Sequence, residues 1–148
     1  MGSESIEFSI DSDPIDPYLA DVTFANRMLL MSVKHADEVT QVPVTAGTGT
    51  TRQVLIGPDE GPNFAMRRFI MQPGGGMPRH TNTVEHEQYV LRGSATIGIA
   101  DRTMEVQRGD VVYIPAGTPH WYKAHAGEPF EFLCVVPNGE DRIEVLGG

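Results

Sequence analysis

His80-Thr81-Asn82-Thr83-Val84-Glu85-His86-Glu87-Gln88-Tyr89-Val90 decides the reading of this chain, together with the later run from Gly109 through Pro115 and Gly117 to His120-Trp121-Tyr122. Side chains at i and i+2 of a strand face the same way. His80 and Asn82 therefore share a face. His86, Gln88 and Val90 share a face on the next strand, and His120 and Tyr122 share one further on. A lone strand histidine is ordinarily a core or surface residue. Three on neighbouring strands suggest one metal held between them. Neutral imidazoles suit Fe, Co, Ni, Cu and Zn. Three of them leave a position for water or substrate, as catalytic metals require. Asn82 can offer a carbonyl oxygen, or it can stand behind the ligands as a donor or pocket wall.

Outward from these residues the chain reads as short strands separated by glycine and proline turns. Strands are expected at 39–44, 52–56, 64–71, 86–91, 95–99, 103–106, 111–114, 119–123 and 130–136. Gly47-Thr48-Gly49-Thr50 and the run 57–62 read as turns, and Gln72-Pro73-Gly74-Gly75-Gly76 reads as a break after residue 71. Regular strands with such turns argue for an all-β sandwich or barrel. No strand–helix alternation appears. No GxGxxG or GxxxxGK[ST] marks a nucleotide site. Pro115 fixes a backbone angle and Gly117 permits a tight bend, which would turn His120 into the interior.

Other polar residues are weighed against this frame. Gln88 is a candidate cavity liner. Glu85 and Glu87 flank His86 and are expected to face outward, although Glu87, Gln88 and Tyr122 are the candidates for assisting proton transfer. Arg68 shares a parity with Phe64 and Met66. It is a solvent-facing strand arginine unless that face is inward, in which case it would meet an anion or a buried ion pair. His35 and His125 have no partners in pattern and read as surface residues. Met66, Phe69, Met71, Val90, Trp121, Tyr122, Phe130, Phe132 and Cys134 form the pool for the interior. Cys134, the only cysteine, cannot form an intrachain disulfide and reads as a small buried hydrophobe.

The 148 residues, 40% hydrophobic, suffice for one domain with a core. Eleven Lys and Arg stand against twenty Asp and Glu, a net charge of −9 with no basic run, which argues against nucleic acid and anionic membrane surfaces as partners. Met28-Leu29-Leu30-Met31, the longest apolar stretch, is too short to span a bilayer. The acidic N-terminus lacks the apolar region of a signal peptide, so a cytoplasmic location is expected. Residues 1–36 read as an N-terminal extension, partly disordered, whose segment 18–33 suits either an amphipathic helix or a strand. Residues 37–148 read as the barrel domain.

The two motifs resemble those of the cupin superfamily. In the first, Gly74 or Gly75 opens the region, His80 matches the first histidine, Asn82 falls at the second, His86 falls at the acidic-ligand position and Gly93 closes. The second motif matches in full as Gly109, Pro115, Gly117 and His120. The resemblance covers roughly 64–136 and is that of a small cupin of the cupin 2 conserved-barrel type. It implies a double-stranded β-helix, the jelly-roll barrel. It also implies a homodimer in which the N-terminal segment packs on the barrel or a partner, and one divalent transition metal per chain (Fe, Mn, Ni, Cu, Co or Zn) held by His80, His86 and His120, with Asn82 oxygen or water as a fourth ligand. His86 in place of the usual glutamate is similar to small cupins with an all-histidine site. Asn82 then replaces one histidine of that set and opens a coordination position.

Two functions follow from the resemblance. One is a metal-dependent dioxygenase acting on a small enolic, phenolic or diketone compound. The other is a non-catalytic cupin that binds metal or a small organic ligand. Metal-independent isomerase chemistry and DNA-binding regulation fit the residues less well.

Overall fold

A computed structural model describes residues 31–147 of the chain. The expected helix or strand in 18–33 and the expected disorder near the N-terminus fall, up to residue 30, outside the described residues. The unit described below is Lys34–Gly148.

Apart from one 3-10 turn at Ala36–Glu38, the regular structure is all β. It comprises β1 (Val42–Pro43), β2 (Thr48–Ile56), β3 (Phe64–Asn82), β4 (His86–Arg92), β5 (Ser94–Ile99), β6 (Arg102–Gln107), β7 (Val111–Ile114), β8 (His120–Ala124), β9 (Phe130–Pro137) and β10 (Ile143–Val145). The strands form one curled antiparallel sheet in the order β6-β5-β8-β3-β9-β4-β7, with β2 and β10 also pairing with β3, and β1 with β2. This is the architecture of a jelly-roll half-barrel. Among the described residues no helix is long and apolar enough to cross a membrane.

β3 joins the two halves of the sheet. Its first part pairs with β9, from Phe64 opposite Pro137 to Met71 opposite Phe130. Its second part pairs with β8, where Met77 faces Tyr122 and His80 faces His120. The glycine run at 74–76 was expected to end the strand and instead bends it. Gly74 takes a left-handed φ of 77°. A Cβ on Gly75 would lie 2.5 Å from the Thr48 carbonyl oxygen, and one on Gly76 would lie 2.0 Å from that of Tyr122. The missing side chains let β3 pass from one neighbour to the next without ending its ladder.

Two other expectations shift. The turn placed at 47–50 lies earlier, where Gly47 N–H donates to the Val44 carbonyl, and Thr48 to Thr50 already belong to β2. The strand expected at 39–44 shrinks to Val42–Pro43. The Gln53 amide nitrogen donates to the carbonyls of Ala36 and Val39, which ties the preceding segment into a turn. β10 was not foreseen: all three of its residues are exposed, so it shows no alternation.

The interior is apolar. Phe130, Phe132, Met71, Ile97, Ile114, Val90 and Cys134 are almost wholly buried. Phe132 stacks between Phe69 and Tyr122, with centroids 5.3 Å away on each side, the offset geometry aromatic rings prefer. The inward parity of β3 is Ala65, Arg67, Phe69 and Met71, not that of Met66 and Arg68. Met66 is therefore half-buried on the opposite face, and Arg68 pairs there with Glu131 at 2.6 Å. Trp121 likewise lies on the face of β8 opposite Tyr122 and is only half-buried.

Candidate metal centre

The alternation of three strands delivers the polar residues to one cavity. His80 and Asn82 on β3, His86 and Gln88 on β4, and His120 and Tyr122 on β8 are all buried and line it together. The His80 and His120 rings lie 4.1 Å apart between centroids, and His86 lies 5.4 Å from His120. The cavity itself is small, ≈ 40 Å³, room for an ion with one or two waters or for the head of a larger molecule. Phe69, Met71, Met77 and Phe132 supply its apolar walls.

Two of the imidazoles are held the same way. His80 Nδ1 lies 2.7 Å from the Pro78 carbonyl oxygen, and His120 Nδ1 lies 2.8 Å from that of Thr118. A carbonyl only accepts, so Nδ1 carries the proton and Nε2 keeps its lone pair. Burial lowers the pKa of all three histidines. His86 falls to about 3, with the Arg67 charge adding to the effect of burial, and His120 falls to about 4. They are neutral at physiological pH, the form that binds metals.

Among the described residues no three His, Cys, Asp or Glu side chains already form a closed metal-holding group. The donor chemistry nevertheless fits a cation. His86 Nε2, His120 Nε2 and Asn82 Oδ1 are buried without any hydrogen-bond partner, and all three belong to residues lining the same cavity. Native interiors rarely leave such groups orphaned, and several together on one cavity make a place for an ion, water or a polar ligand. Asn82, the non-histidine member of this group, offers an amide oxygen rather than a carboxylate.

Gln88 Nε2 donates to the Tyr122 hydroxyl at 2.7 Å. Burial pushes the Tyr122 phenol well above its ordinary range, so it stays protonated. Glu87 does not reach the cavity. It is exposed on the outer face of β4, between the inward-facing His86 and Gln88. Glu85 accepts from the Tyr113 hydroxyl on that outer side. His35 is exposed, while His125 is half-exposed and held by Ser94, Thr96 and Glu105.

Two residues of the site escaped the sequence reading. Arg67 is only 8% exposed and lines the cavity. Its guanidinium lies 3.4 Å from an Asp141 oxygen and 3.4 Å from Cys134 Sγ, and its Nε has no partner. It shares its parity with Phe69 and Met71, but Ile70 on the opposite parity is buried too. Asp141, remote in sequence, accepts from the Asn82 amide nitrogen at 2.9 Å.

Residues 67–136 match the Cupin domain family. Among solved structures, the polyketide cyclase RemF from Streptomyces resistomycificus is 34% identical, with a TM-score of 0.71 over 79% of this chain and 87% of that one. A cupin 2 domain-containing protein from Halorhodospira halophila is 32% identical, with a TM-score of 0.62 over 67% of this chain and 71% of that one. An acireductone dioxygenase from Parasynechococcus marenigrum is 25% identical over 118 residues, which is 77% of this chain and 60% of the relative. With its curled sheet and these relatives, the chain belongs to the cupin superfamily, in the small cupin-2 barrel type.

Proposed function

We propose that the protein is a metal-dependent enzyme acting on a small enolisable carbonyl compound. One divalent transition metal (Fe, Mn, Ni, Cu, Co or Zn) would be held by His80, His86, His120 and Asn82 Oδ1. The observation that carries this reading is the set of orphaned buried donors, His86 Nε2, His120 Nε2 and Asn82 Oδ1, on one cavity. When bound, such a metal supplies Lewis acidity to a carbonyl oxygen and, if redox-active, electron transfer with O₂.

The chain's own residues narrow the substrate. No carboxylate belongs to the proposed donor set, so the centre keeps its positive charge and favours an anionic oxygen. Arg67, paired with Asp141, places a guanidinium at the wall. Tyr122 stays protonated and can donate a hydrogen bond but cannot accept a proton from the substrate. Glu87 is too far out to act as a base. The cavity thus suits a compound acidic enough to arrive as its enolate, such as an enediol or 1,3-diketone.

Dioxygenation is the first reading, supported by the likeness to an acireductone dioxygenase. Ring closure without O₂ is the second, supported by the higher identity to a polyketide cyclase. Metal-loaded protein incubated with acidic enediols and 1,3-diketones, in air and under argon, separates them. O₂ uptake with substrate loss only in air supports the first. Equal conversion under argon supports the second. Binding without conversion in either atmosphere leaves the non-catalytic binder.

The proposal includes the homodimer that the cupin resemblance implies. It draws on the exposed Tyr89, Val111 and Tyr113 on the outer face of β4 and β7, and sedimentation of the full chain tests it.

A further inference from the structure

Asn82 is the odd member of the proposed donor set, because an amide can turn either end toward a cation. Only its oxygen binds one. The structure shows what selects the end. Asn82 Nδ2 donates to Asp141 Oδ1 at 2.9 Å. An ionised carboxylate has acceptors only, so the nitrogen must face Asp141 and Oδ1 must face away from it. That oxygen is buried and has no partner. A flipped amide would set oxygen against oxygen at Asp141 and aim a donor group at the cavity.

Asp141 is itself held in place. Its other oxygen lies 3.4 Å from Arg67 Nη1. The loop before β10 is stitched to the end of β3: Thr83 N–H donates to the Arg142 carbonyl, the Thr83 hydroxyl donates to the Glu140 carbonyl, and Arg142 N–H donates to the Thr83 hydroxyl. Ile143 then pairs directly with Asn82 in the β10–β3 ladder. The backbone therefore presents Asp141 to Asn82 whether or not an ion is bound. Asp141 also lies beyond the residues matched by the Cupin domain family.

We infer that Asp141 is a positioning residue that fixes the Asn82 amide with its oxygen toward the histidines and so makes Asn82 the fourth donor. The inference rests on the metal reading above. The negative charge behind the NH₂ group draws electron density onto Oδ1 and strengthens it as a ligand, the usual effect of a carboxylate behind a metal ligand. Asp141 in this way supplies from behind some of the charge that a ligating glutamate would supply directly.

The test uses Co²⁺ alone as probe, titrated into metal-free full-length protein and followed by its visible absorption. Wild type is expected to take up one equivalent. Asp141→Ala is expected to bind about 10- to 100-fold more weakly, with a changed cobalt spectrum that reports a lost donor. Asp141→Asn keeps an oxygen that accepts from Asn82 Nδ2 and is expected to restore most of the wild-type spectrum. In an Asn82→Ala background, Asp141→Ala should have no further effect on affinity.

Wild-type affinity and spectrum in Asp141→Ala overturn the inference while leaving the metal reading intact. So does an Asp141→Ala effect that persists undiminished in Asn82→Ala. A wild-type protein that takes up no cobalt overturns the metal reading and this inference with it. A purely structural role for Asp141 would lower the melting temperature of both metal-free variants and leave the spectrum of the loaded protein unchanged.

Discussion

His80 and His120 are direct cross-strand partners on β3 and β8, with ring centroids 4.1 Å apart. Each ring is fixed by the carbonyl two residues earlier in its own chain, Pro78 for His80 and Thr118 for His120. Sheet register, rather than a flexible loop, thus sets the spacing of two proposed donors.

That register depends on the close approach of β3 and β8 at Gly76, where a Cβ would meet backbone 2.0 Å away. Gly76→Ala must push the strands apart just before the histidine pair. We expect a loss of about 1–3 kcal/mol in stability and, in the protein that still folds, weaker cobalt uptake. Urea unfolding and cobalt titration check both. A variant with unchanged uptake would show that the pairing of these strands does not set the site.

Acid should destabilise the metal-free protein. The pKa values of His86 and His120 are lowered to about 3 and about 4 by burial, against about 6.5 in the unfolded chain. Between pH 6.5 and about 4 the unfolded chain therefore carries protons that the folded protein does not, and stability falls as pH falls. Each histidine adds a slope of up to about 1.4 kcal/mol per pH unit. Urea midpoints from pH 7 to 4.5 measure it. His86→Gln should flatten the slope, and an unchanged slope in that variant would contradict the assignment.

Arg67 should govern the charge of what binds. Arg67→Gln, once loaded with cobalt, is expected to bind the acetylacetonate anion about 10-fold or more weakly than loaded wild type. That matches the roughly 1.5–3 kcal/mol of a hydrogen bond to a charged group. Calorimetric titration of the loaded protein provides the number. Equal anion affinity in wild type and variant would remove Arg67 from substrate binding.

Glu87 should be dispensable. It lies on the outer face of β4, so Glu87→Gln is expected to change stability by no more than about 0.5 kcal/mol and to leave cobalt affinity and turnover unaltered. A large loss of turnover would reinstate it as a proton-transfer group.

Much of the centre was legible because alternation is unambiguous where polar residues recur at i and i+2. His80 with Asn82, His86 with Gln88, and His120 with Tyr122 each share an inward face for that reason alone. The first half of β3 was not legible. Ile70 on one face and Met71 on the other are both buried, so apolar content could not say whether Arg67 or Arg68 points inward. The glycines at 74–76 read as a terminator because sequence shows their flexibility but not the strands crowding them. Asp141 was invisible because it reaches Asn82 through the pairing of β10, a strand without alternation. Where the ends of the sheet fold back on the motif strands, the proposed site depends on contacts that no local pattern encodes.

The most direct measurement is elemental analysis of full-length protein purified without a metal-affinity step. The account predicts about one equivalent of a divalent transition metal per chain, lost in the His80→Ala/His120→Ala double variant. Metal-free wild-type protein that takes up none on reconstitution, with folding unchanged in the double variant, would contradict it.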